Sequence, residues 1–295
     1  MNYVILDLEW NGAYSKKARK FVNEIIEFGA VKTDEELNII DTFSMLITPQ
    51  IGKKLNSKVA QLTHLTTEEL TDSNNTFTHV LSKFKKFLSD SVLLTWGTSD
   101  ILTLMENHYY YFGEKRLPFL SKYCNLQAYC EDILGHADAS QQMGLSTCAQ
   151  MLDISTKGLE LHRALDDAKL SLNCLRKLYY FDRLLNKTEL ADSEFYRKIT
   201  FKNTVIYDIK NPLIDKKELY VCCEKCQKKA RRKSKWTVKN KSFRAQFRCS
   251  KCKRDFEGRI TFRLKYEGIS ISRRNVEITK SDKLKKRKCI LDKIR

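Results

Sequence analysis

The chain has 295 residues, 42% of them hydrophobic, and a formal charge of +18, which allows a main domain with a smaller appendage. No apolar run approaches the roughly 20 residues of a membrane helix, and Met1 leads straight into Tyr3-Val4-Ile5-Leu6 without the basic segment or cleavage site of a secretory leader. On these grounds a soluble, cytoplasmic protein is expected.

The charge is unevenly spread. Residues 1–185 carry 20 Lys and Arg against 23 Asp and Glu, whereas residues 186–295 carry 34 against 13. A near-neutral body followed by a strongly basic part suggests a catalytic domain joined to one that holds nucleic acid. A merely solvated basic surface is the plain alternative.

In chain order, Tyr3 to Glu9, Ile25 to Val31 and Ile39 to Ile47 read as three strands of a meander. Phe77, Val80, Leu81, Phe84, Phe87 and Leu88 recur at helical spacing, with Lys83, Lys85 and Lys86 on other faces. Val92 to Trp96 reads as a strand, and a helix is expected from about Ile101 to Tyr111. Leu165, Ala168, Leu172, Leu175 and Leu178 mark one face of a long helix whose first turns hold Asp166 and Asp167. Strands first, then helices alternating with strands, predict an α/β fold: a mixed sheet with helices packed on it.

Residues two apart on a strand share a face, so Asp7 and Glu9 can converge on one cation while Leu6 and Leu8 turn the other way. Asp100 follows Trp96-Gly97 at a strand end, and His162 precedes Asp167 by about one and a half helical turns. Four carboxylates and a histidine form the parts list for phosphodiester hydrolysis with two Mg²⁺ or Mn²⁺ ions, because these hard cations take carboxylate oxygens and the attacking water needs a base. Taken singly, each residue has a bland reading: Asp7 and Glu9 as an exposed acidic edge, Asp100 as a helix N-cap, His162 as a member of a polar network. His108 beside Tyr109, and His136 near Asp138, show no metal-ligand spacing and read as structural.

The stretches ILDLEWNG (5–12), NEIIEFGAVKT (23–33), LTHLTTEEL (62–70), TWGTSD (95–100) and LHRALDDAKL (161–170) resemble, in order and spacing, the DEDDh-type 3'-5' exonucleases of the DnaQ-like superfamily. The enhanced-RNA-interference and KapD-like branch is the nearest in flavour. The resemblance covers residues 1–185 and implies a ribonuclease-H-like fold there. It implies that Asp7, Glu9 and Asp167 hold the metal that activates water, that Asp7 bridges to a second metal, that Asp100 supports the cluster, and that His162 is the general base. The five-residue interval after the histidine favours Asp167, with Asp166 second. Leu8 and Trp10 would offer backbone amides or an apolar surface to the terminal nucleotide. Leu62 and Thr63 sit in the family's leucine-threonine segment, which usually continues with glycine; here His64 stands in that place, and a plain core role for Leu62 is equally open. The implied partner is a single-stranded 3' end, RNA being favoured only by the branch. The rivals are a DNA-processing exonuclease and a non-catalytic nucleic-acid-binding adaptor.

Beyond Leu185 the composition changes. Residues 186–217, polar and containing Pro212, read as a connector to a small basic domain over 218–270 and a basic tail over 271–295 that includes KLKKRK at 283–288. Cys223 and Cys226 form one CxxC pair and Cys249 and Cys252 another, the signature of a tetrahedral four-thiolate Zn²⁺ site. Four thiolates leave no open position for water, so this zinc is structural. Adjacent Cys222 is an alternative to Cys223. Short β-rich runs at 235–238, 243–249 and 258–266 suggest a zinc ribbon whose small core needs the metal. Arg231, Arg232, Lys233, Lys235, Trp236, Arg244, Phe247 and Arg248 interleave cations and aromatics as a nucleic-acid platform does; equally, Trp236 and Phe247 fit the ribbon's own core. Cys124, Cys130, Cys148 and Cys174 read as unpaired thiols.

Overall fold

The meander is longer than its apolar run. β1 (Tyr3–Ser15) pairs antiparallel with β2 (Lys20–Thr33), and β2 with β3 (Ile39–Leu46). There follow α1 (Ser57–Thr63), α2 (Thr67–Asp72), α3 (Phe77–Leu88), β4 (Val92–Thr95), α4 (Ser99–Phe112), β5 (Lys122–Asn125) and α5 (Leu126–Ile133). The first unit closes with α6 (Leu145–Met151), α7 (Ala164–Leu178), α8 (Phe181–Lys187), β6 (Glu189–Leu190) and α9 (Ser193–Ile199). This computed structural model describes residues 1–136 and 142–278, so Asp138 and the KLKKRK run lie outside the described residues.

The sheet has the order β3-β2-β1-β4-β5-β6, with β3, β4 and β5 running parallel to β1 and with β2 and β6 antiparallel to it. Alternation along β1 divides the core in two. Val4, Leu6 and Leu8 pack with α3, α4 and α9 through Phe84, Ile101, Leu104 and Phe195. Tyr3 and Ile5 face α5, α6 and α7 through Tyr129, Cys148, Ala168 and Leu172. This is the expected α/β, ribonuclease-H-like arrangement, and Cys124, Cys130, Cys148 and Cys174 are core thiols within it.

Two boundaries differ from the sequence expectation. The first unit runs to Thr200, because β6 pairs with β5 and Phe195 and Tyr196 of α9 are buried in its core; ordered structure therefore covers the beginning of the expected connector. In the second unit, β7 (Thr204–Ile206), β8 (Arg231–Arg232), β9 (Thr237–Lys239), β10 (Ser242–Arg248), β11 (Asp255–Lys265) and β12 (Gly268–Glu277) form one sheet around Phe243, Phe247, Phe256, Ile260 and Phe262. The expected tail from residue 271 begins inside β12, where Ile269 and Ile271 pack against that core and the whole strand pairs with β11.

Candidate active site and cysteine cluster

β1 and α7 meet at the acidic residues. A bulge in the β1–β2 ladder falls immediately after Glu9: Glu9 lies opposite Glu27 and Trp10 opposite Ile25. Such bulges re-aim side chains at functional edges. Asp7 lies opposite Gly29, and a Cβ on Gly29 would sit 2.0 Å from the backbone of Ala164 and Leu165. The glycine lets the first turn of α7 rest directly on β2, and that turn carries Asp167. Carboxylate oxygens of Asp7, Glu9 and Asp167 consequently lie within 4.8 Å of one another, all three residues half-buried.

Loss of water and mutual repulsion shift these groups together. Burial, then the charges of Asp100 and Asp167, holds Asp7 well above the ordinary carboxylate range. Burial and Glu27 push Glu9 up to about 8, and burial raises Asp167 as well. Asp100, 5% exposed, is pushed up to about 7 by burial although Leu8 N–H donates to its Oδ1 at 3.0 Å. Asp100 lies in the first turn of α4, whose cap is Thr98, so the N-cap alternative does not hold. Clustered oxygens that resist ionising together are the donor set of a hard divalent cation, and these residues fit such an ion.

Asp166 turns away: it accepts from Lys169 Nζ at 2.8 Å and from Glu160 N–H at 3.0 Å. The N–H of His162 donates to Asp167 Oδ2 at 3.1 Å, while its ring is exposed and its backbone occupies the left-handed region at φ 66°. Leu8 corrects an expectation, since its side chain is 2% exposed in the core and its amide is committed to Asp100; neither is available to a nucleotide. Trp10 packs only partly against the core. Leu62 is 49% exposed, which removes its core alternative, whereas Thr63 is fully buried and donates to Val59 O at 2.9 Å. His64 caps α1 at φ 57°, a left-handed position that explains why glycine is usual there.

Sequence reading missed Glu27. Its side chain is 2% exposed and bonded to the Arg163 guanidinium at 3.0 Å, and its carboxylate also faces the amide of Ala164 at 3.4 Å. A charged residue within the apolar run IIEFGAV was the available signal. Asn11 was missed too: it bonds Lys54 O at 3.1 Å and Asn56 N–H at 3.0 Å, tying the start of α1 to β1 just beyond Glu9.

In the second unit the sulfurs of Cys223, Cys226, Cys249 and Cys252 lie within 4.8 Å of one another, a donor set that fits tetrahedral zinc. Cys222 stands outside this group, its carbonyl accepting from Asn275 at 2.7 Å. The N–H of Cys252 donates to Cys249 Sγ at 3.3 Å and lowers that thiol to about 7. Phe247 is 1% exposed and belongs to the core, so it cannot stack on a base, and Trp236 packs edge-on against it at 5.6 Å. Lys233 and Arg248 pair with Asp255, and Arg244 with Glu257. Arg231, Arg232 and Lys235 are exposed, with Arg232 over Trp236 at 5.3 Å.

A ribonuclease-H-like sheet with carboxylates converging from its first strand and last long helix defines the nuclease class to which the fold and site point. The sequence profile of the exonuclease family (RNase_T) matches residues 4–175, and the chain belongs to that family. Among curated relatives, the DNA polymerase III PolC-type of Clostridium perfringens is 27% identical over 190 residues, 64% of this chain and 12% of that protein. That of Staphylococcus haemolyticus is 30% identical over 111 residues, 38% of this chain and 7% of that protein. The chain thus spans a small part of these relatives' length. A 3'-exonuclease solved for its 3'-end-specific recognition of histone mRNA stem-loop aligns with TM-score 0.51 and 25% identity, over 60% of this chain and 62% of that one. The nuclease domain of 3'hExo, a DEDDh family member bound to rAMP, aligns with TM-score 0.50 and 25% identity over 60% of this chain and 90% of that one. Among the described residues no helix is long and apolar enough to cross a membrane.

Proposed function

We propose that the protein is a metal-dependent 3'-5' exonuclease that hydrolyses phosphodiester bonds from single-stranded 3' ends. The observation that carries this reading is the convergence of Asp7, Glu9 and Asp167 within 4.8 Å in a chain of the exonuclease family. Asp7, Glu9 and Asp167, with Asp100 beside them, would hold two Mg²⁺ or Mn²⁺ ions, which supply Lewis-acid stabilisation of the attacking and leaving oxygens. His162, exposed at the edge of the cluster, takes the proton of the attacking water at its imidazole. Asp167 orients the histidine's backbone, and Trp10 and exposed Leu62 offer apolar surface to the terminal nucleotide. The adaptor alternative is disfavoured because all five motif residues are present.

RNA is the favoured substrate, supported by the neighbours described with histone mRNA and rAMP. A DNA-processing exonuclease is the second reading, supported by the DNA polymerase relatives. The four-thiolate cluster holds one structural zinc, and Arg231, Arg232 and Lys235 give the second unit its contact with substrate phosphates. The test compares 3'-labelled and 5'-labelled RNA and DNA of one sequence, in Mg²⁺ and in Mn²⁺, with Asp7→Asn as control. Stepwise shortening from the 3' end, lost in Asp7→Asn, is expected. Intact strands with the wild type, or equal cleavage by the variant, would sink the proposal.

A further inference from the structure

The β1–β2 hairpin continues well past the acidic cluster. From Glu9 to Ser15 it covers about 20 Å at the usual strand rise, and its tip, residues 16–20, reads Lys-Lys-Ala-Arg-Lys. Four cations in five positions are a local excess in a body where acids otherwise outnumber bases. The tip is also a built platform. Asn107 of α4 accepts from Ile25 N–H at 3.2 Å and donates to Asn23 O at 2.7 Å, Glu106 pairs with Lys20 at 2.6 Å, and Ser15 and Tyr110 share a hydrogen bond of 3.2 Å.

Between this tip and the second half of α4 lies a cavity of about 300 Å³, lined by Lys17, Lys20, Val22, Tyr109 and Tyr110 among others. That volume is at the lower end for small-ligand sites and suits a base-sized group. Tyr109 is 46% exposed, and the Lys17 ammonium stands 5.1 Å from the Tyr110 ring centre. Lys16 and Arg19 are exposed and, among the described residues, have no ion-pair partner. On the hairpin, Tyr14 and Phe21 meet edge-to-face at 5.6 Å with 55% and 72% of their surfaces exposed. A solvated hairpin tip needs neither the aromatic walls nor the cavity; a nucleic-acid strand uses both, since aromatic faces stack on bases of any sequence and cations hold the phosphates between them.

We propose that this cavity and the Lys16–Lys20 tip form a second nucleic-acid contact, which takes a base and flanking phosphates of the substrate strand upstream of its 3' end. The inference rests on the exonuclease reading, because it places one strand on both the carboxylates and the hairpin. The contact makes short products poorer ligands than long substrates.

The test uses the full chain carrying Lys16→Ala, Lys17→Ala, Arg19→Ala and Tyr109→Ala together. The wild type's KM should fall as oligonucleotide length increases, whereas the variant's should stay flat and end about tenfold higher on the longest strand. The salt slope of binding, measured by anisotropy without added Mg²⁺ or Mn²⁺, should shrink by about 2, three cations each contributing about 0.7 for a single strand. Identical length and salt dependences for both proteins would overturn the proposal. A 5-iodouracil strand cross-linked to the wild type gives a reading independent of hydrolysis. Attachment to the peptide holding Tyr109 and Tyr110 is expected, and attachment elsewhere only would overturn it. If the wild type cleaves nothing, the exonuclease reading falls and the cross-link alone decides the contact.

Discussion

Gly29→Ala tests how the site is assembled without touching any of its chemical groups. The new Cβ would lie 2.0 Å from backbone atoms of Ala164 and Leu165, where carbon contacts settle at about 3.5 Å. The first turn of α7 must then withdraw by about 1.5 Å, and no rotamer relieves the clash because the opposing atoms are main chain. Asp167 sits in that turn while Asp7 and Glu9 stay on β1, so the three-carboxylate cluster opens by a comparable amount. Misplacement of about 1 Å can cost about 10²-fold in rate, and overpacking of this kind about 1–3 kcal/mol of stability. The assay is kcat on a labelled oligonucleotide in saturating Mn²⁺, paired with a denaturant melt of the same preparation. Gly12→Ala is the control, since its Cβ would meet only Asn23 Oδ1 at 3.8 Å, and it should stay within about twofold of wild type. A Gly29→Ala protein with wild-type kcat would refute the view that this glycine sets the carboxylate geometry.

Other consequences follow from the same contacts. Glu9 moves from 4.5 to about 8 and Asp100 from 3.8 to about 7 on folding, so the folded state binds more protons than the unfolded one and the metal-free protein loses stability as pH rises from about 4 through 8. Melting without added Mg²⁺ or Mn²⁺ should therefore fall across that range, and the gain on adding Mn²⁺ should be larger at pH 8 than at pH 5. Arg163→Ala strands Glu27 as a 2%-exposed charge beside the acidic cluster and should cost more than Glu27→Gln, up to about 3 kcal/mol in chemical denaturation. The double variant should recover part of that loss. Cys226→Ser should lower bound zinc from about one ion per chain and unfold the second unit, whereas Cys222→Ser should keep the metal; elemental analysis with circular dichroism reads both.

The parts of the fold that are apolar or repeat were legible. Short apolar runs placed β1, β2 and β3, and helical spacing placed α3 and α7, because burial leaves a pattern in the chain. The extension of β1 and β2 to Ser15 and Lys20 was not legible: its tip is charged, and what holds it is hydrogen bonding to Asn107 and Glu106, more than 80 residues away. The same holds for Glu27, whose partner Arg163 is 136 residues distant. At Leu8 a local reading failed for a similar reason, as the amide is already used by Asp100, 92 residues away. At His64 the departure from the family's glycine looked like a matter of base contacts, yet the residue's left-handed φ of 57° makes it a question of how α1 ends.

A cluster of carboxylates held in one place is unfavourable by itself, and the fold supplies what compels it. The Leu8 amide fixes Asp100, Gly29 admits α7, and the Glu27–Arg163 pair neutralises one further charge while anchoring the start of that helix. Two of these three devices act through β2, a strand that offers no oxygen to the three-carboxylate cluster. The organisation of the site should accordingly be more sensitive to β2 than its parts list suggests. Divalent-cation affinity read by calorimetry should weaken in Gly29→Ala and Arg163→Ala, although both variants keep every carboxylate. Unchanged affinity in both would mean that the carboxylates find the ion without this scaffold.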